Sequence, residues 1–188
     1  MKRVGIYCGS FSPVHKGHIA IARACIDQDL VDEVWIIATG TYWQKNDLYP
    51  LKDRLAMLKM AAKEGIVIDE TYNELPYTYM IFERLKEEYP DIVFSLILGA
   101  DNLPRFNEWR NYEELLAYDF IIISRDRIDK DELKRLMDKL NKENYTILKL
   151  EPIDISSTYI REHLNDYDTI KDMIDQDVYD YLMQMERK

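Results

Sequence analysis

Two of the chain's three histidines, His15 and His18, fall inside one ten-residue stretch, GSFSPVHKGH (9–18), with two glycines and a proline. Spaced three apart, they share a side if a helix begins near Lys16 or Gly17. A helix start offers free N–H groups and the positive end of the backbone dipole, and so suits an anion such as phosphate. Two imidazole donors flanking that anion suit charge developing on a phosphoryl group, because donors already in place need no reorganisation as the transition state forms. Gly9 lets the chain turn sharply after a strand, Pro13 stiffens the loop, and Gly17 permits close approach at a helix start. The competing reading is chance clustering of core or surface histidines. Zinc fits poorly, because no third His or Cys ligand lies near and His163 is far along the chain, so no metal-ligating set is expected.

A second cluster is ISSTYIRE (155–162). Ser156, Ser157 and Thr158 are N-cap residue types, and Arg161 and Glu162 follow within a turn and a half. Hydroxyls, N–H groups and a guanidinium there could gather around a second phosphate. A plain helix cap is the competing reading.

These clusters need elements to hold them. Runs rich in β-branched residues at 3–8, 33–38, 66–68, 92–98, 119–124 and 145–150 read as strands. Helical spacing fills 17–29, 51–64, 77–89, 111–118 and 129–142. Continuous apolar strands such as VFSLIL belong in a parallel sheet covered on both faces. The expected fold is therefore α/β, a Rossmann-like doubly wound parallel sheet of five or six strands. Ligands in such sheets sit beyond the carboxyl ends of the strands, and five polar clusters follow strand ends here. One domain over 1–188 is expected, with a core at 1–152 and a small C-terminal helical subdomain at 153–188 carrying ISSTYIR. Two helices are expected there, STYIREHL and IKDMIDQDVYDYLMQM.

Composition suits one soluble globular domain of 188 residues, 47% hydrophobic and 32% charged. With 35 acidic against 25 basic residues the net charge is -10, which disfavours nucleic acid and anionic membranes as partners. A local cluster of His, Lys and Arg can still hold a small phosphorylated ligand, since a distant field is screened over about 8–10 Å. Cys8 and Cys25 lie in apolar runs without a CxxC pattern and are expected to be reduced and buried. The N-terminus lacks a signal-peptide pattern and no stretch approaches ~18 apolar residues, so the expected location is cytoplasmic.

HKGH after the first strand and ISSTYIR near the C-terminus together resemble the HxGH nucleotidyltransferase superfamily, which carries (H/T)xGH and ISSTxxR at those places. GADNLPRFNEWRNYEELL (99–116) is similar to the G-A/Q-D-x-L…F…W segment of the bacterial nicotinate mononucleotide adenylyltransferases, and YTYMIFERL (77–85) to their Y-T-x-x-T-L segment. The resemblance covers most of the chain.

It implies transfer of AMP from ATP to nicotinate mononucleotide, with Mg2+ accompanying the ATP, giving nicotinate adenine dinucleotide and pyrophosphate in NAD biosynthesis. It implies that His15, His18, Lys45 and Arg161 act on the phosphates. Gly9, Ser10, Phe11, Gly17, Ile155, Ser156 and Ser157 would hold ATP, Ser157 joining Arg161 at the β- or γ-phosphate. Tyr77, Thr78, Gly99, Asp101, Trp109 and Arg125 would hold the acceptor, the Trp109 ring stacking on the pyridine. For Trp109 core packing is the competing reading, and for Asp101 a helix N-cap.

Three departures stand out: Ser12 replaces the family's Asp or Asn, TGTYWQKN replaces its P-P-H-K, and SRDR replaces its Arg-Pro-Gly. They leave open another acceptor, such as nicotinamide mononucleotide, phosphopantetheine, FMN or a cytidylyltransferase substrate. A nucleotide sensor without turnover is the reading from another class. Homo-oligomerisation is left open.

Overall fold

The computed structural model describes residues 1–41, 47–124, 129–151 and 153–187. Six strands, β1 (Lys2–Gly9), β2 (Glu33–Ala38), β3 (Ile66–Asp69), β4 (Ile92–Gly99), β5 (Asp119–Ile123) and β6 (Tyr145–Leu148), form one sheet in the order β3-β2-β1-β4-β5-β6. Every pairing is parallel. Connections leave β1 in one direction toward β3 and resume from β4 in the other. The strand order therefore switches between β1 and β4, where such sheets open a crevice.

The apolar runs follow from burial on both faces. Along β5, Ile121 and Ile123 enter one core while Phe120 and Ile122 enter the other; in β2, Ile36 and Ile37 divide the same way. The first core is covered by α1 (Lys16–Asp27), α2 (Leu51–Ala61), α6 (Ser157–Glu162), α7 (Tyr167–Ile170) and α8 (Gln176–Glu186). The second is covered by α3 (Thr78–Glu88), a 3-10 helix (Ala100–Glu108), α4 (Tyr112–Leu115) and α5 (Lys130–Lys139). In α3, Ile81, Phe82 and Leu85 recur at one-turn spacing and are at most 1% exposed, each burial contributing about 1.5–3 kcal/mol. Among the described residues no helix is long and apolar enough to cross a membrane.

Three expectations about elements change. The 3-10 helix at Ala100–Glu108 was not expected, because Pro104 discourages a helical reading; the tighter turn accommodates it. The helix expected at 111–118 shrinks to Tyr112–Leu115, entered through Asn111 in the left-handed region at φ 49°. The long final helix is broken between α7 and α8. There the Met173 carbonyl accepts the N–H of Lys16 at 2.9 Å, satisfying a donor that the start of α1 would leave free. Asp175, extended at φ -70° and ψ 144°, then opens α8. Ile160, Ile170, Val178 and Leu182 of the C-terminal helices join the core beneath α1 and α2.

Candidate active site

The loop after β1 is shaped by side chains that reach it from three directions. Its sharp turn falls at Phe11, whose φ is 46°, and not at Gly9 as expected. The bare Cα of Gly9 serves packing instead: a Cβ there would come within 3.0 Å of the Phe11 ring. Phe11 is 2% exposed and meets the rings of Tyr7 and His18 edge-on, at 5.3 and 4.8 Å between centroids. Gly17 meets its expected close approach, since an added Cβ would lie 2.7 Å from Ile153 Cγ2.

His15 is the N-cap of α1 and His18 its third residue. The His15 N–H donates to His18 Nδ1 at 3.2 Å, and the two rings stack at 3.6 Å between centroids with 20° between planes. His15 is 3% exposed, whereas His18 is half-buried and lines the crevice. The histidines are therefore unequal: one sits behind the other.

From the C-terminal side, α6 reaches the same loop. Ser157 Oγ donates to the Pro13 carbonyl at 2.8 Å, and Arg161 Nη1 donates to the Ser12 carbonyl at 2.5 Å. Both residues were expected at phosphates; the structure puts them on loop carbonyls that border the site. Arg161 Nη2 also lies 4.0 Å from Asp47 Oδ2. Ser156 is the N-cap of α6, its Oγ accepting from Tyr159 N–H at 3.1 Å; N3 is Tyr, so no reciprocal capping box forms. Ile155 is half-buried and packs against the core beside this cap. Ser12, standing where relatives in the resemblance carry Asp or Asn, accepts the Tyr49 N–H on Oγ at 2.8 Å.

The crevice between β1 and β4 brings together Gly9, Phe11, His18, Thr78, Gly99, Asp101 and Trp109. Trp109 and Thr78 also line an adjoining hollow with Tyr77, Glu108 and Arg110. Trp109 rests against Phe106 at 5.0 Å between centroids and lines both spaces, so it combines packing and lining. Asp101 is exposed and lies inside the first turn of the 3-10 helix, whose N-cap is Gly99; the cap reading for Asp101 fails. Ser10 stands at the loop's turn, half-buried, beside the crevice. Lys45 and Arg125 fall outside the described residues. Among the described residues no three His, Cys, Asp or Glu side chains come together as a metal cage.

One residue sits otherwise than expected and another escaped the sequence reading. Cys8 is only half-buried as a residue and is among those lining the crevice, while desolvation pushes its thiol up to about 12. Arg54 is 1% exposed beneath the loop. Its Nη1 donates to the carbonyls of Ser10 (2.8 Å) and Thr39 (2.7 Å), Nη2 to Thr41 Oγ1 (2.8 Å) and Nε to the Tyr49 carbonyl (2.9 Å). Burial lowers its pKa from the usual arginine value. A signal existed: Met57, Leu58 and Ala61 are buried along α2, and the charged pair Asp53 and Arg54 is buried with them.

Comparison with known proteins agrees with this architecture. The family model described as Cytidylyltransferase-like matches residues 6–163. A protein of Flavobacterium johnsoniae named probable nicotinate-nucleotide adenylyltransferase is 31% identical over 190 residues, spanning 96% of this chain and 95% of its own. One of the same name from Bacteroides fragilis is 32% identical, over 97% of this chain and 92% of its own. The solved structure of Plasmodium falciparum nicotinic acid mononucleotide adenylyltransferase complexed with NaAD superposes with a TM-score of 0.81 at 24% identity, covering 98% of this chain and 96% of that one; the likeness shows a common fold. From residue 6, within β1, to residue 163, at the end of α6, the chain belongs to the cytidylyltransferase-like family of nucleotidyltransferases, beside the nicotinate-nucleotide adenylyltransferases.

Proposed function

We propose that the chain transfers AMP from ATP to nicotinate mononucleotide. The observation that carries this reading is one crevice at the strand-order switch, lined by His18, Thr78 and Trp109 together. Full-length relatives named for the same reaction, at 31 and 32% identity, support it.

In the proposed reaction the 5'-phosphate oxygen of the acceptor attacks the α-phosphorus of ATP. The bond from that phosphorus to the bridging oxygen breaks, and pyrophosphate leaves with the electron pair. No protein nucleophile is needed, so the chain contributes positioning and charge stabilisation. Mg2+ arrives with ATP as part of the substrate and neutralises phosphate charge. His18 donates from Nε2 to a phosphate oxygen, because Nδ1 is occupied as acceptor of the His15 N–H. His15 stacks behind it and fixes the ring plane. Gly9, Ser10, Phe11 and Gly17 bring backbone against the triphosphate; Ile155, Ser156, Ser157 and Arg161 border the nucleotide from α6, and Lys45 adds a cation. Trp109 stacks on the pyridine ring, and Tyr77, Thr78, Gly99, Asp101 and Arg125 frame the acceptor.

The test is pyrophosphate release by the purified chain with MgATP and each acceptor in turn: nicotinate mononucleotide, nicotinamide mononucleotide, phosphopantetheine and FMN. Fastest release with nicotinate mononucleotide, with the dinucleotide identified by mass, is expected. Faster release with another acceptor transfers the activity to that acceptor, and binding of ATP without release from any of them overturns the enzyme reading in favour of a sensor.

A further inference from the structure

A buried cation is costly unless something compensates it, and Arg54 is compensated unusually. It is 1% exposed, and its four hydrogen bonds among the described residues go to uncharged oxygens: three carbonyls and a hydroxyl. Of the other buried residues on this helix, Met57, Leu58 and Ala61 are apolar, and the Asp53 carboxylate accepts from the Tyr181 hydroxyl at 2.7 Å, so it is not one of the partners of the Arg54 fork. What the guanidinium joins is specific. Ser10 belongs to the loop after β1, Thr39 and Thr41 follow β2, and Tyr49 leads into α2.

The peptide plane carries the next step. In a trans peptide the C=O and the following N–H point in opposite directions. With the Ser10 carbonyl drawn down onto Arg54, the Phe11 N–H must point away from the core, toward the loop's outer side. Among the described residues no acceptor takes that N–H. Phe11 itself sits at φ 46°, a conformation that a non-glycine residue holds only when its surroundings enforce it. The Thr39 carbonyl is fixed in the same way, which turns the Gly40 N–H outward, with Gly40 at φ 93°. Outward N–H groups on adjacent turns make a concavity suited to an anion.

We propose that Arg54 is a positioning residue for nucleotide binding: its planar fork holds the Ser10–Phe11 and Thr39–Gly40 peptides with their N–H groups facing the triphosphate. The proposal rests on the reading that ATP binds at this loop. It assigns Arg54 no contact with substrate; the fork acts through the backbone it orients. Lysine cannot replace it, since one ammonium cannot serve four acceptors spread around a plane.

The test uses the full chain carrying Arg54→Lys or Arg54→Ala, with melting curves, kinetics for each substrate, and calorimetric binding of a non-hydrolysable ATP analogue. Arg54→Lys is expected to remain folded, to lose about 30-fold in kcat/KM for ATP and in analogue affinity, and to keep the acceptor KM within about twofold. Millimolar guanidinium is expected to restore about tenfold of the Arg54→Ala loss by refilling the cavity. Wild-type analogue affinity in folded Arg54→Lys overturns the proposal, as does an equal loss toward both substrates that follows the melting temperature. Should neither variant fold, Thr41→Val removes one partner only; a rise of about threefold in ATP KM with the acceptor unchanged is expected, and an unchanged ATP KM overturns the proposal. A wild-type chain that binds the analogue but releases no pyrophosphate sinks the reaction and leaves the Arg54 comparison intact in the binding arm.

Discussion

The backbone N–H of His15 donates to Nδ1 of His18 at 3.2 Å, and this one bond fixes the tautomer of the ring that lines the crevice. An amide N–H can only donate, so Nδ1 must be the bare nitrogen and the proton sits on Nε2. The same imidazole therefore closes the first turn of α1 and, in the proposed reaction, supplies its Nε2 proton to a hydrogen bond with the phosphate.

The two jobs can be separated. His18→Ala is expected to lower kcat by about a hundredfold or more and to cost about 1 kcal/mol of stability, because the cap is lost with the donor. His18→Asn places an acceptor near the Nδ1 position and none of the donor reach. It is expected to keep wild-type stability while losing rate as severely as His18→Ala. Denaturant unfolding beside steady-state kinetics checks both, and a fully active His18→Asn chain would remove the ring from the chemistry.

Arg161 and Ser157 hold the loop carbonyls of Ser12 and Pro13 from α6. Ser157→Ala is expected to cost about 1 kcal/mol or less by leaving the Pro13 carbonyl without that donor. Arg161→Ala removes a charge as well as a bond, so it is expected to raise the ATP KM by about tenfold with a smaller change in the acceptor KM. Separate titrations of the two substrates measure this; an effect confined to the acceptor would place the two substrates the other way round.

Much of this was legible beforehand, and the reason is period. Runs such as VFSLIL and DFIIIS lack polar alternation because both faces of the sheet are covered, so strand and burial are written in one signal. The motif clusters were legible because strand ends are where such sheets bind ligands. What stayed hidden depends on tertiary contact. The 3-10 helix runs through Pro104, the break before α8 serves the N–H of Lys16, and the turn at Phe11 is held by Arg54 from another helix. The partners at the break before α8 and at the Phe11 turn are far along the chain, so no local pattern announces them, whereas the 3-10 helix is masked locally by its own proline.

Trp109 packs against Phe106 and lines two hollows that share Thr78. Trp109→Ala is expected to raise the acceptor KM by about tenfold or more while the ATP KM moves less, since a stacked ring is lost on one side only. Trp109→Phe keeps an aromatic face and is expected to recover most of the difference. Equal kinetics in Trp109→Ala would return the residue to simple packing against Phe106.

The two thiols are expected to make stability fall in alkali. Burial pushes Cys8 and Cys25 up to about 12, above the ordinary thiol value of 9.0. In the folded chain the protonated form is favoured, whereas the unfolded chain releases the protons near the ordinary value. Between those limits the folded state binds more protons than the unfolded one, so stability is fully present below about pH 9 and falls as pH rises toward 12. At pH 8 the same shift leaves little thiolate, so alkylation by iodoacetamide is expected to be at least about a hundredfold slower than for an unfolded control. Denaturant midpoints from pH 8 to 10.5 are expected to decline, and Cys25→Ala to flatten part of that decline after allowance for its own cavity. Rapid labelling of native protein at pH 8 would show that the thiols are reached by solvent and that burial does not hold them protonated.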